Sequence, residues 1–390
     1  MATLIIKARA RIFHGHDWVY GTEVAELRGQ PEDGATVTLK DRRGRILGSA
    51  IYNSRSQIVA RRFCRQKQAL DAGFLERRIA QAHDFRIRHG FASADACRLV
   101  WSESDGLPGL IVDRYRDCFV VQALTLAMDR ALPAVVAALR ALFEPACIIA
   151  RNDAPVRRAE GMETHVGVLH GAAPDALEID CGGIVFPVQP LDGQKTGLYL
   201  DQAANYPKVA GFAAGRRVLD CFSHQGAFAL HCARAGASAT RAVEISGHCV
   251  EAIQRVAATN QLAVETVVAN VFDYLNSLRD SDQRFDLIVL DPPSFTKSKG
   301  RHADALRGYK EIHLRALGLL APGGLLATFC CSYHVSSAEL RRVIVEASVD
   351  ARRHLRLLET YSQSPDHPIL PHIPESEYLK GFLLETLPPR

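Results

Sequence analysis

The chain has 390 residues, of which 47% are hydrophobic and 23% are charged, and its formal net charge is +4. This length exceeds what one hydrophobic core usually serves, so we expect two or three domains. No apolar run is long enough to cross a bilayer and residues 1–13 lack a signal-peptide core, which excludes a membrane-spanning protein and predicts a cytoplasmic location. The ten cysteines include no Cys-x-x-Cys pair, so we predict neither a metal site nor a disulfide framework.

Positive charge is concentrated in residues 1–68, which hold thirteen Lys or Arg against six Asp or Glu. Alternating segments at 36–40 and 46–52, joined by a turn at 41–44, predict a small β-rich domain here. Arg42 and Arg43 lie in that turn, where they could reach phosphates. The pattern favours a nucleic-acid-binding domain, although a solvated basic face would have the same composition.

A small α+β domain is predicted for residues 69–188. Apolar residues at helical spacing predict a helix over 70–89, followed by strand, turn-rich loop and strand between 97 and 123. A helix over 131–143 and a short strand at 148–150 complete this unit.

Regular alternation of strands and helices begins at residue 215. Apolar strands are predicted at 217–222, 239–245, 266–269, 287–290 and 325–329, with helices between most of them and a further helix over 337–350. This alternation is typical of a mostly parallel sheet with helices on its faces. The predicted fold class is therefore α/β, with a Rossmann-like domain over residues 189–390 that follows the β-rich and α+β domains.

The ends of the first three strands in this region carry polar residues that suit a nucleoside. The turn at 220–227 has only one suitably placed glycine, Gly226, so the glycine-rich loop that holds a dinucleotide pyrophosphate is missing. Glu244 ends the second strand, where an acid can bind ribose hydroxyls, and Asn270 follows the third, where it could hold an adenine amino group. Ribose and adenine recognition without a pyrophosphate predicts S-adenosylmethionine (SAM) as the cofactor.

The next two strands end in reactive groups. The strand at 287–290 ends at Asp291-Pro292-Pro293, whose prolines stop the strand and leave a carboxylate at the sheet edge where ligands bind. The strand at 325–329 ends at Cys330-Cys331. If these strands are neighbours, the carboxylate and the thiols lie at the same edge.

These residues belong to a longer ordered set of motifs. It comprises HDWVY at 16–20, ESDGLPGL at 103–110, KTGLYLDQ at 195–202, DCFSHQG at 220–226, DPPSF at 291–295, RGYK at 307–310, CS at 331–332 and YLKGF at 378–382. On this set the chain resembles the bacterial large-subunit ribosomal RNA (cytosine-C5) methyltransferases. The resemblance implies an N-terminal PUA domain, a small middle domain, a class I SAM-dependent methyltransferase domain, ribosomal RNA as the partner and, in many members, a homodimer.

The resemblance also implies covalent catalysis. A thiolate that adds to C6 of cytosine makes C5 nucleophilic enough to take the methyl group, and loss of the C5 proton then expels the thiolate. Cys331 occupies the position of that nucleophile, and Asp291 would hydrogen-bond the N3 and N4 region of the ring. The target base should be unpaired or flipped out. The predicted substrate contacts are Lys195, Pro292, Phe295, Tyr309, Arg42 and Arg43. The predicted cofactor contacts are Tyr199, Phe222, Ser223, Gly226, Glu244, Ile245, Asn270, Val271, Phe272, Asp291 and Pro292.

The chain departs from the family pattern at three positions. Asn270 stands where an acid is common, Ala203 where Arg is usual, and Cys330 where Ser is common.

Two other functions fit part of the pattern. An exocyclic-nitrogen methyltransferase would use the segment Asp291-Pro292-Pro293, here called the Asp-Pro-Pro corner, and would need no cysteine. An RNA-binding assembly factor would transfer no methyl group. Cys331, and the Ser294 that separates the prolines from the aromatic residue, favour carbon methylation.

Overall fold

The computed structural model describes residues 2–191, 197–295 and 302–388, and the chain divides into two compact units. The first unit comprises Met1–Cys181, Phe186–Leu200 and Pro365–Ser376, and the second comprises Gly182–Val185, Asp201–Ser364 and Glu377–Arg390. Within the described ranges, every helix is too short or too polar to span a bilayer. The domain boundaries predicted at 68/69 and 188/189 stay predictions.

The first unit begins with a six-stranded sheet. Its strands are β1 (Thr3–Ile6), β2 (Trp18–Val19), β3 (Val24–Arg28), β4 (Thr36–Lys40), β5 (Ile46–Tyr52) and β6 (Ala60–Cys64). They lie in the order β2-β6-β5-β4-β1-β3, and all pairs except β1–β4 are antiparallel. The alternation at 36–40 and 46–52 coincides with β4 and β5, where Val37 and Leu39 of β4 and Ala50 and Tyr52 of β5 pack into the core of the sheet at a spacing of two residues.

A second sheet of the same unit has the order β11-β10-β9-β8-β7. Its helix α1 begins at Ala72, because the Asp71 side chain accepts a hydrogen bond from the Phe74 N–H and caps the first turn. The predicted continuation to residue 89 is replaced after Arg86 by a π-type turn in which Gly90 has a φ of 91°. The elements are α1 (Ala72–Arg86), β7 (Ala96–Trp101), β8 (Leu110–Tyr115), β9 (Cys118–Ala123), α2 (Leu126–Arg130), α3 (Leu132–Phe143), β10 (Cys147–Asn152), α4 (Val156–Ala159), β11 (His165–Gly171) and β12 (Leu177–Cys181). The next strand, β13 (Ile184–Val188), has its first two residues in the second unit and the others in the first.

The second unit contains a seven-stranded sheet. Its elements are α5 (Asn205–Ala210), β14 (Arg217–Cys221), α6 (Ala227–Arg234), β15 (Ala239–Glu244), α7 (Gly247–Thr259), β16 (Glu265–Val268), α8 (Val271–Ser277), β17 (Phe285–Leu290), α9 (His302–Leu319), β18 (Leu320–Cys330), α10 (Ser337–Asp350), β19 (His354–Ser362) and β20 (Lys380–Leu387). The order is β16-β15-β14-β17-β18-β20-β19. The strands β14 to β18 are parallel, whereas β20 is antiparallel to both of its neighbours.

The strand order of this sheet reverses beside β14, since β15 lies on one side of it and β17 on the other. Open α/β sheets bind ligands at such a switch point, outside the carboxyl ends of the strands. Side chains from β14, β17 and β18, among them Leu219, Ile288 and Leu326, form the buried core beneath that edge. The predicted α/β class with a mostly parallel sheet is confirmed.

The start of the strand predicted at 325–329 differs from the structure. β18 begins at Leu320 rather than residue 325, so the segment Ala-Pro-Gly-Gly at 321–324 lies inside the strand. Gly323 has a φ of 72°, and the pairing of β17 with β18 shifts register near this point. The irregularity has the composition of a turn but does not end the strand.

Candidate active site

Asp291 and Cys331 lie at the carboxyl ends of two neighbouring parallel strands. Each follows the last residue of its strand, β17 for Asp291 and β18 for Cys331. The Cys331 sulfur lies 3.9 Å from the Pro292 carbonyl oxygen. The Asp291 N–H donates to the Cys221 carbonyl oxygen at the end of β14, at 3.4 Å. The structure therefore brings the thiol and the Asp-Pro-Pro corner together at the switch point of the sheet.

Gln202 orients the Asp291 carboxylate. Its side-chain N–H donates to Asp291 Oδ2 at 3.1 Å, and its own oxygen accepts from Asn205 Nδ2 at 2.7 Å. Asn205 also donates to the Ser362 carbonyl oxygen at 2.9 Å. Gln202 and Asn205 are both buried. Sequence reasoning did not single out Gln202, although it ends the KTGLYLDQ motif.

The turn between β14 and α6 has an unusual backbone. Phe222, His224 and Gly226 all have positive φ values, of 61°, 49° and 75°. A Cβ at Gly226 would also lie 2.9 Å from the Ile253 side chain, so this position requires glycine. The Ser223 hydroxyl donates to the Asp220 carbonyl oxygen at 2.7 Å and holds the turn. Left-handed backbone at non-glycine residues is costly and is concentrated at functional sites.

Asp220 is a buried acid beneath this turn. Burial raises the pKa of its carboxyl to about 8, and the charges of Asp291 and Glu244 act in the same direction. Hydrogen bonds from the Ala229 N–H and from Ser223 oppose the increase. A largely protonated Asp220 at neutral pH limits the negative charge that faces Asp291 across the sheet edge.

Glu244 ends β15 with both carboxylate oxygens partly engaged. Oε2 accepts from the His224 N–H at 3.0 Å and Oε1 accepts from the Ser246 N–H at 3.1 Å. A carboxylate oxygen has about two acceptor positions, so each can accept one more hydrogen bond. The next residue, Ile245, is 64% exposed, and Val268 at the end of β16 is 57% exposed. A pair of ribose hydroxyls and an apolar ring fit this arrangement.

Asn270 caps helix α8. Its side-chain oxygen accepts from the Phe272 N–H at 2.9 Å and from the Asp273 N–H at 3.4 Å. Because an amide oxygen has two lone pairs, the group that stays available for an adenine is the NH₂ of Asn270. It can donate to a ring nitrogen of adenine. Val271 is buried, and Phe272 is half-buried at the start of the same helix.

Four aromatic rings meet beside the Asp-Pro-Pro corner. Phe295 lies 6.4 Å from Phe222, 5.9 Å from Phe272 and 4.7 Å from Tyr309, measured between ring centroids. Tyr309 is fully buried, and its hydroxyl accepts a hydrogen bond from the Cys330 thiol at 3.2 Å. Tyr309 is therefore placed to support Phe295 and Cys330 and does not itself present a surface to a substrate.

Two predicted contacts, Lys195 and Tyr199, come just before residue 200 in the chain. Lys195 lies outside the described residues. Tyr199 belongs to the first unit and is half-buried there, next to Leu198, whose N–H donates to the Tyr115 hydroxyl at 3.1 Å.

Arg42 and Arg43 are exposed in the turn between β4 and β5 of the first unit. Asp41 holds the turn by accepting from the Arg43 and Arg45 N–H groups, each at 2.9 Å. The two arginines line an open cavity of about 420 Å³. Its other cationic and aromatic lining residues are Arg9, Arg45 and Phe13.

Two of the motifs quoted above contact each other in the first unit. Glu103, from ESDGLPGL, accepts from the Trp18 indole N–H and from the Arg61 guanidinium, each at 2.8 Å. Burial alone would raise the pKa of Glu103, but Arg61 and hydrogen bonds from Ser102 and Trp18 hold it below its usual value. These motif residues join two sheets of the unit and have a structural role.

Among the described residues, no three His, Cys, Asp or Glu side chains form a cluster that could hold a metal ion.

Comparisons with known proteins agree with this architecture. A family model of PUA-like domains matches residues 3–65, and one of S-adenosylmethionine-dependent methyltransferases matches residues 157–383. Two curated relatives carry the name ribosomal RNA large subunit methyltransferase I. The protein from Klebsiella pneumoniae subsp. pneumoniae is 36% identical and that from Aeromonas salmonicida is 35% identical, each over 98% of both chains.

Solved structures show the same fold. A Streptococcus mutans protein assigned as a SAM-dependent methyltransferase has a TM-score of 0.85 at 22% identity, over 99% of this chain and 100% of that one. A methyltransferase structure in complex with SAH has a TM-score of 0.86 over the same shares. The chain belongs to the ribosomal RNA large subunit methyltransferase I family, with a PUA-like domain and a methyltransferase domain whose cofactor is SAM.

Proposed function

We propose that this protein transfers a methyl group from SAM to C5 of a cytosine in large-subunit (23S) ribosomal RNA. The names of its relatives support the RNA substrate. The observation that carries the C5 chemistry is the position of Cys331, whose sulfur lies 3.9 Å from the Pro292 carbonyl at the edge that also presents Asp291. An exocyclic-nitrogen methyltransferase would need the Asp-Pro-Pro corner but no thiol there.

SAM supplies an electrophilic methyl group, and the residues present fit its nucleoside. Glu244 has one free acceptor position on each oxygen for the two ribose hydroxyls. Ile245 offers an apolar surface to the adenine, and the Asn270 amide can donate to an adenine nitrogen. The turn that contains Phe222 and Gly226 would approach the amino-acid end of the cofactor. The predicted contacts at Tyr199, Val271 and Phe272 are part of this proposal.

In the reaction, the Cys331 thiolate adds to C6 of cytosine, and the electron pair of the C5–C6 bond moves toward C5. C5 would then attack the methyl carbon of SAM, and the sulfonium sulfur would leave as the neutral thioether of S-adenosylhomocysteine. Loss of the C5 proton regenerates the double bond and expels the thiolate, so the enzyme returns to its starting state. Asp291, oriented by Gln202, would hydrogen-bond the N3 side of the ring, where charge develops. The Pro292 carbonyl can accept from the exocyclic amine.

The base must leave its stack to reach this edge. Phe295 is half-buried and lies next to Pro292 and Phe222, so it can stack on the flipped base. The buried Tyr309 ring supports it from below.

The cavity around Arg42 and Arg43 suits the RNA backbone. We propose that residues 1–68 form a PUA-like RNA-binding domain, 69–188 a middle domain and 189–390 the methyltransferase domain. Arg9 and Arg45 line the same cavity, which concentrates positive charge where phosphates could bind.

The first test is methyl transfer from labelled SAM to unmodified large-subunit ribosomal RNA, followed by nucleoside analysis. Wild type and Cys331→Ala are compared, with Cys64→Ala in the first unit as the matched control. We expect labelled 5-methylcytidine from wild type and the control and none from Cys331→Ala. Label on an exocyclic nitrogen that survives Cys331→Ala would refute C5 chemistry, and RNA binding without any methyl transfer would indicate an assembly factor.

The second test measures RNA affinity against salt concentration for the double variant Arg42→Gln, Arg43→Gln. Each lost phosphate contact should lower the magnitude of the log–log salt slope by roughly 1. Arg28→Gln is the control, because Arg28 is exposed but pairs with Glu26 on its own strand. An unchanged slope in the double variant would show that this turn does not contact RNA.

A further inference from the structure

Lys380 is a buried lysine beside the catalytic edge. It is the first residue of β20 and pairs directly with Cys330 across the antiparallel β18–β20 contact. Its side chain is nearly fully buried, and its ammonium group donates to the Ser332 carbonyl oxygen at 2.8 Å and to the Val335 carbonyl oxygen at 2.6 Å. Both acceptors lie in the loop that immediately follows Cys331.

The charge of Lys380 has no carboxylate partner within ion-pair distance among the residues that the structure describes. Glu339 and Glu377 act on it only at longer range, and Glu339 is occupied in capping α10 through Ser336. Burial lowers the pKa of Lys380, while Cys330, Glu377 and Cys331 favour its charged form. Burying an ammonium group without a counter-charge costs free energy. Two hydrogen bonds to carbonyls do not by themselves account for a lysine at this position.

Two thiols lie near Lys380, and a thiolate at either would be a counter-charge for its ammonium group. Only Cys331 is placed to react as a thiolate. Cys330 is fully buried and donates to the Tyr309 hydroxyl, and burial raises its pKa. Cys331 is half-buried, lies past the end of the strand and faces the Pro292 carbonyl. Among the described residues, the charged and titratable groups near Cys331 include Asp291 after β17, Tyr309 from α9, Cys330 from β18 and Lys380 from β20. The carboxylate opposes a thiolate, and Lys380 is the cation of this set.

We propose that Lys380 is a positioning residue for Cys331, which fixes the loop after the thiol through two carbonyls and supplies the positive charge that favours the thiolate. The inference rests on the proposed role of Cys331 as the nucleophile. The lysine acts through the cysteine and need not touch the substrate. An opposite charge within several ångströms lowers the pKa of a thiol, and this is a general means of activating a cysteine.

The test is the rate of alkylation of Cys331 by iodoacetamide as a function of pH, with the modified peptide identified by mass spectrometry. The variants are Lys380→Met, Lys380→Gln and Lys380→Arg. Arg255→Met is the matched control, because Arg255 is an exposed cation on α7 in the same unit. Circular dichroism and thermal unfolding establish that each variant is folded.

Loss of the charge should move the midpoint of the alkylation profile upward by about one pH unit, which lowers the rate at pH 7 about tenfold. Lys380→Gln can still donate to a carbonyl, so it separates the charge from the hydrogen bonds. We expect it to behave like Lys380→Met, and we expect Lys380→Arg and Arg255→Met to keep the wild-type midpoint. A wild-type midpoint in folded Lys380→Gln would overturn the inference.

The alkylation experiment distinguishes a wrong role for Lys380 from a wrong proposed function. Alkylation needs neither RNA nor SAM, so it reports on the thiol alone. If Cys331→Ala kept methyl transfer, the covalent mechanism would fall while an altered alkylation profile in Lys380→Gln would still show the coupling. If Cys331→Ala were inactive and Lys380→Gln alkylated normally, only the role of Lys380 would be wrong.

Discussion

Replacing Glu244 by Gln tests the cofactor site with the smallest change of shape. The two oxygens of Glu244 are each held by a backbone N–H, from His224 and Ser246, at 3.0 and 3.1 Å. The carboxylate is thus oriented before any ligand binds. Gln keeps one acceptor oxygen but turns the other into an NH₂ group, which cannot accept a hydrogen bond from a hydroxyl.

The expected magnitude follows from this geometry. One ribose hydrogen bond to a charged acceptor is lost, which corresponds to about 1.5–3 kcal/mol. The Kd for SAM should therefore rise by roughly 10- to 150-fold. The new NH₂ group also lies against a backbone N–H, because either His224 or Ser246 loses its acceptor. This second loss adds to the first, so the lower end of the range is the smallest increase in Kd that we expect.

Isothermal titration calorimetry with S-adenosylhomocysteine measures the change without RNA or turnover. Glu251→Gln is the matched control, because Glu251 is exposed on α7 of the same unit. We expect the control to bind as wild type does. A Kd for Glu244→Gln within twofold of wild type, in a folded protein, would refute the assignment of the ribose to Glu244.

Three further substitutions test the surroundings of the site. The folded pKa of Asp220, about 8, exceeds the value of about 3.9 in an unfolded chain, so its stabilising contribution is complete below pH 4 and lost as the pH rises toward 8. Asp220→Asn should therefore flatten the decline of unfolding free energy over this window in urea titrations. Gly226→Ala, at a φ of 75°, should cost about 1–2 kcal/mol in the same assay and weaken SAM binding. Glu103→Ala leaves Trp18 and Arg61 without their acceptor, at about 1–3 kcal/mol, and should lower hydrogen-exchange protection at residues 18–19 and 61.

Local patterns predicted much of the second unit. The helix expected over 337–350 begins and ends as predicted, because Ser336 and Glu339 form a capping box and the apolar residues Leu340, Val343 and Ile344 repeat at helical spacing. The residues proposed for SAM follow strand ends, and a strand end is visible in a sequence as an apolar run that stops at a polar residue. The cofactor class could be inferred for this reason.

Non-local contacts were not predictable in the same way. The segment 321–324 has the composition of a turn, and it lies inside β18 because the residues on either side of it, Leu320 and Leu325, both pair with β17. Tyr309 was expected at the substrate, but helix α9 turns it into the core beneath Phe295. Periodicity assigns a side chain to a face of its own helix and does not say what covers that face.

The sequence by itself determined the family, the α/β class and the residue types that stand at each strand end, since these depend on short segments and on ordered motifs. Only the tertiary structure decided which side chains serve the reactive pair. Gln202 reaches Asp291 from far upstream, and Lys380 reaches the loop after Cys331 because β20 inserts antiparallel between β18 and β19. Such pairings join residues about 50 to 90 positions apart, and their partners are set by sheet order and register, which no local pattern encodes.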